Sequence, residues 1–317
     1  MRTYIEFEKP IAELEAKVAE LRSITRDDAN VSISDEIGRL EQKAKQLLAD
    51  TYAKLNPWQK TQVARHADRP HCLDYVNGLI EGFTTLAGDR YYAEDAAIVG
   101  GIGKFHGRGV MVIGQEKGHD TESRIRHNFG MARPEGYRKA VRLMEMADRF
   151  GLAVLTLVDT AGAYPGVGAE ERGQAEAIAR SIDCCLSLGV PIITMVIGEG
   201  GSGGAVAIAT ANRILMLEHA IYTVASPEAA ATILWRDKAK AIDAATSMRI
   251  TAQDLMDLKV IDEIVPEPVG GAHRDKAETI ARAGAALQRS LDQLDALSPD
   301  ELRSHRADRF MAMGRGL

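Results

Sequence analysis

Two glycine-rich octapeptides, DTAGAYPG at 159–166 and GEGGSGGA at 198–205, are the stretches whose residue types and spacing can do chemistry. Each ends an apolar run and leads toward a helix. Main-chain N–H groups freed by glycine can therefore converge at the positive end of a helix and hold an anion or a developing oxyanion. Within the second stretch, Gly198, Gly200 and Gly203 satisfy G-x-G-x-x-G, and Glu218 follows where a dinucleotide fold places its ribose-binding acid. Gly200, Ser202 and Gly204 also satisfy G-x-S-x-G, the nucleophile elbow of serine hydrolases. A phosphate loop fits worst, because Ala205 and Val206 stand where Lys and Ser or Thr are required. The plainest alternative is a glycine turn that lets a helix pack close to a strand.

The dinucleotide fingerprint normally lies on the first strand–helix unit, whereas several elements precede residue 198. A hydrolase needs a later acid and a histidine, yet none of His219, His273 and His305 sits in a recognisable turn after a strand. The first octapeptide tips the balance. Gly162 and Gly166 relax its backbone, Pro165 sets a turn, and a helix begins near Ala169. Two such turns on neighbouring strands would deliver amides from separate segments to one point, as an oxyanion hole requires, and each well-aimed donor is worth about 3 kcal/mol. No strong nucleophile is then needed. Asp159, at a strand end, reads as a cap on the following turn and not as a base.

The elements that must position these turns follow from periodicity. Ile11, Leu14, Val18 and Leu21, then Ile33, Ile37, Leu40, Ala44 and Leu47, recur at helical spacing and predict a two-helix hairpin over 1–56, ahead of a second unit over 57–317. A mixed, helical connection runs from 57 to 96. The runs AAIVGGIGKF and RGVMVIGQEK, joined by HGRG, predict a β-hairpin. A helix opened by Pro134 and stopped by Gly151 comes next, then the strand LAVLTLVD, a helix over 168–188, the strand PIITMVIG, and the helix AVAIATANR. RILMLEHAIYTV, a helix opened by Ser226 and Pro227, a strand within KVIDEIV and two C-terminal helices complete the pattern; Ser298 and Glu301 box the last one. Alternating strands and helices predict an α/β fold with mostly parallel pairing.

With 45% hydrophobic and 26% charged residues in 317, the chain can bury a large core. Three cysteines, with no CxxC pair, supply neither a disulfide framework nor an all-cysteine zinc site, and point to a reducing, cytoplasmic setting. Cys184 and Cys185 read as buried fillers within a helix. No apolar run approaches the roughly 18 residues of a membrane span, and no signal peptide is visible. A net charge of −6 disfavours sequence-independent binding to nucleic acid. Against that background, Lys117, Arg124, Arg126, Arg133, Arg138, Lys139 and Arg142 outnumber the nearby acids, forming either a solvated basic face or a contact for phosphates or an acidic partner. Trp235 and Arg236 are candidates for a subunit contact, with a core tryptophan the competing reading.

Five strings together, DTAGAYPGVGAEERGQAEAIA, GEGGSGGA, SPEAAATILWRD, RHNFGMARPEGYRKA and IDEIVPEPVGGAHRD, resemble the carboxyltransferase alpha subunit of bacterial acetyl-CoA carboxylase, over nearly the whole chain. Ala161 stands where that pattern usually has proline, and Ala229 and Ala230 replace a Gly-Cys pair. The resemblance implies a crotonase-superfamily fold, a spiral of ββα units flanked here by the N-terminal hairpin and C-terminal helices. It implies transfer of a carboxyl group from carboxybiotin, carried on the biotin carboxyl carrier protein, to acetyl-CoA, giving malonyl-CoA for fatty acid biosynthesis.

It further implies a beta subunit of the same fold bearing a four-cysteine zinc ribbon, an α2β2 assembly, and no metal in this chain. By the same resemblance, the backbone of Gly203 and Gly204 forms the oxyanion hole, facing the biotin ureido oxygen. Gly162, Ala163, Tyr164, Gly200, Gly201 and Ser202 border the substrates. A nicotinamide-dependent oxidoreductase, a carboxyltransferase for propionyl-CoA or another acyl-CoA, and a non-catalytic scaffold are the alternatives.

Overall fold

The computed structural model describes residues 3–24 and 31–315, without the side chains of residues 24 and 31–33. Helices α1 (Lys9–Ile24) and α2 (Val31–Tyr52) pack on one another. Residues 25–30, which join them, and the Ile33 side chain lie outside the described set. Ile11, Leu48 and Tyr52 bury against Val63 of the next helix, α3 (Pro57–Ala64), while Arg274 pairs with Glu8 and Glu15. These contacts tie the hairpin to the body of the protein.

Helix α4 (Cys72–Leu79) leads into β1 (Glu81–Thr85), β2 (Ile98–Phe105) and β3 (Arg108–Gln115), an antiparallel meander. His106 and Gly107, both with positive φ (49° and 77°), close the β2–β3 hairpin. That pair of left-handed residues is the turn whose twist matches the flanking strands. The connection predicted to be helical over 57–96 therefore contains a strand. β1 is a short, largely exposed edge strand, and EGFTT offers no apolar alternation to reveal it.

The chain then winds α5 (Thr121–Arg126), α6 (Pro134–Phe150), β4 (Ala153–Thr160), α7 (Val167–Glu171), α8 (Gln174–Ser187), β5 (Ile192–Gly201) and α9 (Ser202–Ala209). After these come β6 (Arg213–Leu217), β7 (Ile221–Thr223), α10 (Pro227–Trp235), α11 (Ala241–Ser247), α12 (Ala252–Asp257), β8 (Glu263–Val265), α13 (Lys276–Leu294) and α14 (Pro299–Ala312). The sheet order is β1-β2-β3-β4-β5-β6-β8, parallel from β3 onward, with β7 added beside the end of β5. Every residue of β4 and β5 is buried, which demands cover on both faces; α4, α6, α9 and α13 lie against the sheet.

Two expectations need correction. The helix placed at 168–188 is two helices, because Gly173 takes φ +79° between α7 and α8. The stretch GEGGSGGA is not a loop: its first four residues complete β5 and its last four open α9, so strand passes directly into helix at Ser202, with φ +51°.

Candidate active site

The turn after β4 and the start of α9 meet backbone to backbone. A β-carbon on Gly204 would lie 2.6 Å from the carbonyl carbon of Gly162 and 2.8 Å from the amide nitrogen of Ala163, while one on Gly201 would collide with the Ala161 carbonyl. Only glycine permits that approach. No side chain caps α9, so the N–H groups of its first turn, Gly203 and Gly204 included, have no intrahelical acceptor. They form a positive apex where two strands end.

Ser202 and Gly203 line a cavity of about 450 Å³ whose other walls include Val206, Tyr222, Leu255 and Val260. Room remains at Gly203, since a β-carbon there would sit 3.4 Å from Ile178 Cδ1. Gly204 is buried behind it, its carbonyl accepting from Gln115 Nε2 at 2.8 Å. Gly200 and Gly201 belong to the strand, in register with Tyr222 and Thr223 of β7, and do not line the cavity. The N–H of Gly162 donates to Thr160 Oγ1 at 3.1 Å. Tyr164 is drawn the other way: its N–H donates to Ala132 O, and the Arg133 guanidinium lies 4.8 Å from its ring centre. The structure thus gathers Gly162, Ala163, Ser202, Gly203 and Gly204, and leaves Gly200, Gly201 and Tyr164 in supporting positions.

This geometry disfavours the competing motifs. Gly198 lies inside β5 with its α-carbon against the Asp159 carboxylate, and Glu218 accepts from the Glu267 N–H, so neither is free to hold a dinucleotide. Ser202 has the left-handed backbone of a nucleophile elbow, yet among the described residues neither histidine nor carboxylate lines its cavity to activate it.

Beneath the β4 turn lies a buried charge cluster. Asp159, 1% exposed, accepts from Lys117 Nζ at 2.8 Å, from the Glu199 N–H at 3.0 Å and from His71 Nδ1 at 3.0 Å. Burial alone would raise its pKa, but Lys117 and His71 outweigh that and hold it well below the usual carboxylate range. Glu199 also receives Lys117 and Arg65, and Arg65 reaches on to Glu228 at 2.7 Å. For Lys117, burial opposes the charge and the two carboxylates outweigh it, raising its pKa.

Asp159 consequently does not cap the turn that follows it, as its position suggested; it ties β4 to β5 and to the residues before α4 and after β3. His71 was missed because nothing in its local sequence distinguishes it, and Glu199, inside the second octapeptide, was passed over because Lys117 and Arg65 reach it from remote segments. The basic segment is neutralised in part. Lys117 serves Asp159, Arg138 pairs with Asp89, buried Lys139 pairs with Glu94, and Arg142 binds backbone carbonyls. Cys184 and Cys185 are buried as expected, and Trp235 is 40% exposed and so not a core residue. Among the described residues no group of three or more His, Cys, Asp or Glu is arranged to hold a metal ion.

Solved structures of the same architecture place the fold. A Pseudomonas malonate decarboxylase hetero-tetramer in complex with coenzyme A superposes with a TM-score of 0.58 at 20% identity, covering 76% of this chain and 94% of that one. The transcarboxylase 12S core, with methylmalonyl-coenzyme A bound, gives 0.57 at 19% identity over 73% of this chain and 44% of that one. These likenesses define the fold class, a crotonase-like α/β protein. The family described as acetyl co-enzyme A carboxylase carboxyltransferase-like matches residues 4–314, and the chain belongs to that family. Acetyl-coenzyme A carboxylase carboxyl transferase subunit alpha of Methylobacterium nodulans is 67% identical over the full length of both chains; that of Rhodopseudomonas palustris strain BisA53 is 64% identical over all of this chain and 98% of its own.

Proposed function

We propose that this chain is the alpha half of a biotin-dependent acetyl-CoA carboxyltransferase, moving a carboxyl group from carboxybiotin on a carrier protein to acetyl-CoA to give malonyl-CoA. The observation that carries this reading is the uncapped start of α9, with Gly203 opening onto an otherwise largely apolar cavity. Apolar walls suit a fused bicyclic ring and its aliphatic arm, and the amides at one end suit a urea oxygen. Carboxybiotin bound there supplies the carboxyl group and a ureido oxygen on which negative charge develops.

The chain's own residues supply the rest. Gly203 and Gly204 aim N–H groups at that oxygen, and the helix end adds a positive field that strengthens as water is excluded. Ala163 and Gly162 wall the same apex. No acid or nucleophile is demanded of the protein, in keeping with a cavity lined by neither carboxylate nor histidine.

The remaining substrate belongs on a second subunit, which we place against α10 and the segment before it. Val224, Ile233 and Leu234 are there 66–81% exposed beside Trp235, and Val224 also borders the cavity. An apolar patch next to a catalytic cavity suits a partner that completes the site. In this reading the partner is the beta subunit with its zinc ribbon, in an α2β2 assembly visited by the biotin carrier. The buried, unpaired cysteines suit a reducing cytoplasm.

The test is carboxyl exchange between malonyl-CoA and biocytin by the chain purified with its partner. Gly203→Val should preserve assembly and reduce exchange at least 100-fold. Full exchange by that variant, or by the chain alone, would overturn the reading.

A further inference from the structure

We propose that Gln115 is a positioning residue for carboxyl transfer, holding the amide-bearing first turn of α9 in register with the end of β4. The inference rests on the amide-hole reading above and adds a residue to it. Gln115 is the last residue of β3 and is fully buried. Its Oε1 accepts from the Asp159 N–H at 3.1 Å, and its Nε2 donates to Gly204 O at 2.8 Å. One carboxamide thus joins the two segments that meet at the apex.

Among the described residues, no other side chain hydrogen-bonds to residues 202–205. Gly203 and Gly204 have no β-carbon to restrict φ and ψ, so the direction of their N–H groups depends on what holds the turn from outside. Contact with Gly162 and Ala163 blocks movement in one direction. The Gln115 hydrogen bond fixes the carbonyl end of Gly204 and so limits rotation about that residue. Asp159 completes the bracket, because its carboxylate accepts from the Glu199 N–H of β5 at 3.0 Å.

The chemistry specifies a side chain with a donor and an acceptor on one carbon. Carboxylate at this position keeps the acceptor for Asp159 but sets an oxygen against the Gly204 carbonyl. Once protonated, the same carboxyl again has one donor and one acceptor. Gln115→Glu should therefore lose activity at high pH and regain it as pH falls. Burial near Asp159 and Glu116 raises the introduced carboxyl into the assay range, and Lys117, two residues along the chain, is already held by Asp159 and Glu199. His71, on the far oxygen of Asp159, is a further titratable neighbour, and Arg69, Tyr75 and the Cys72 thiol, which packs against Gly114, also feel the Asp159 charge.

The experiment compares wild type, Gln115→Glu and Gln115→Met, each complexed with the partner subunit, by malonyl-CoA to biocytin exchange between pH 5.5 and 8.5. Melting temperatures are recorded in parallel, and each profile is read relative to wild type. Gln115→Glu should lower kcat about 100-fold at pH 8.5, keep KM for malonyl-CoA within about twofold, and recover at least tenfold relative to wild type by pH 5.5. Gln115→Met should lose kcat with no recovery. Wild-type kcat in either variant overturns the inference, as does a deficit that is independent of pH in a folded Gln115→Glu protein. Should Gln115→Glu not fold, wild-type kcat in a folded Gln115→Met, or failure of that variant to fold as well, overturns the inference; loss of kcat at unchanged KM in that variant supports it. If Gly203→Val abolishes exchange while the Gln115 variants keep it, only the positioning role fails; if Gly203→Val also keeps it, the amide-hole reading fails.

Discussion

A β-carbon on Gly204 would stand 2.6 Å from the carbonyl carbon of Gly162, so the first turn of α9 and the turn after β4 touch with no side chain between them. Gly203, its neighbour, meets nothing closer than Ile178 Cδ1 at 3.4 Å. Two adjacent glycines therefore serve different ends: one permits contact, the other leaves space for a ligand.

The pair predicts opposite responses to alanine. Gly204→Ala should destabilise the fold by about 1–3 kcal/mol through overpacking of backbone that cannot move aside. Gly203→Ala should leave stability within about 1 kcal/mol, with a gain favoured, because its neighbour is a flexible side-chain tip and alanine suits a helix. Urea denaturation of the two variants measures the contrast; equal losses would contradict it.

Asp159→Asn removes the negative charge that Lys117 and His71 share. Lys117 is then left buried with Glu199, at 3.4 Å, as its remaining carboxylate. Breaking one partner of a buried pair costs about 3–5 kcal/mol, and a loss of that order in the free energy of unfolding, measured by urea denaturation, is expected. A variant as stable as wild type would show that the cluster contributes little.

Stability should fall with acid in two stages. His273 is stacked on His66, ring centres 3.8 Å apart, and burial together with its cationic neighbours lowers its pKa to about 3. Between roughly pH 6.5 and 3 the unfolded chain binds a proton that the native imidazole refuses, so folding weakens by up to about 1.4 kcal/mol per pH unit as pH falls. Burial would raise the Glu267 carboxyl, but Arg69 outweighs it and holds the value at about 2. That contribution is fully present above about pH 4.5 and is lost as pH falls toward 2. His273→Phe should make the first stage shallower, leaving the part that His66, His219 and His305 contribute, and leave the second unchanged, as read from urea midpoints across pH; an unchanged upper limb would refute the assignment.

Leu234→Glu tests the docking surface. Leu234 is 66% exposed, so the substitution should leave the melting temperature within about 2 °C. It should weaken association with the partner subunit at least tenfold, about 1.4 kcal/mol, in a titration followed by sedimentation. Undiminished binding would move the interface elsewhere.

Much of the architecture was legible in the chain. Pro134 and Gly151 bracket α6, Ser298 and Glu301 box the start of α14, and the β2–β3 hairpin turns at His106 and Gly107 within HGRG; each is a local signal written in a few adjacent residues. The two glycine octapeptides stood out as a pair, and the fold brings the turn after β4 against the start of α9. β1 escaped notice because an exposed edge strand needs no apolar period, and the break at Gly173 because an αL glycine inside a helical pattern looks like a tolerated one.

Tertiary structure alone decided which glycine does what. Gly200 and Gly201 look like loop in sequence, yet they finish a strand because β7, contributed by residues 221–223, pairs beside them. It also assembled His71, Lys117, Asp159 and Glu199 from four separate segments, and it placed the Gln115 carboxamide between Asp159 and Gly204. Local sequence specifies turns, caps and periods, because these depend on neighbours along the chain. Close approach and charge pairing depend on distances through space, and those exist only after parallel strands have brought remote residues side by side.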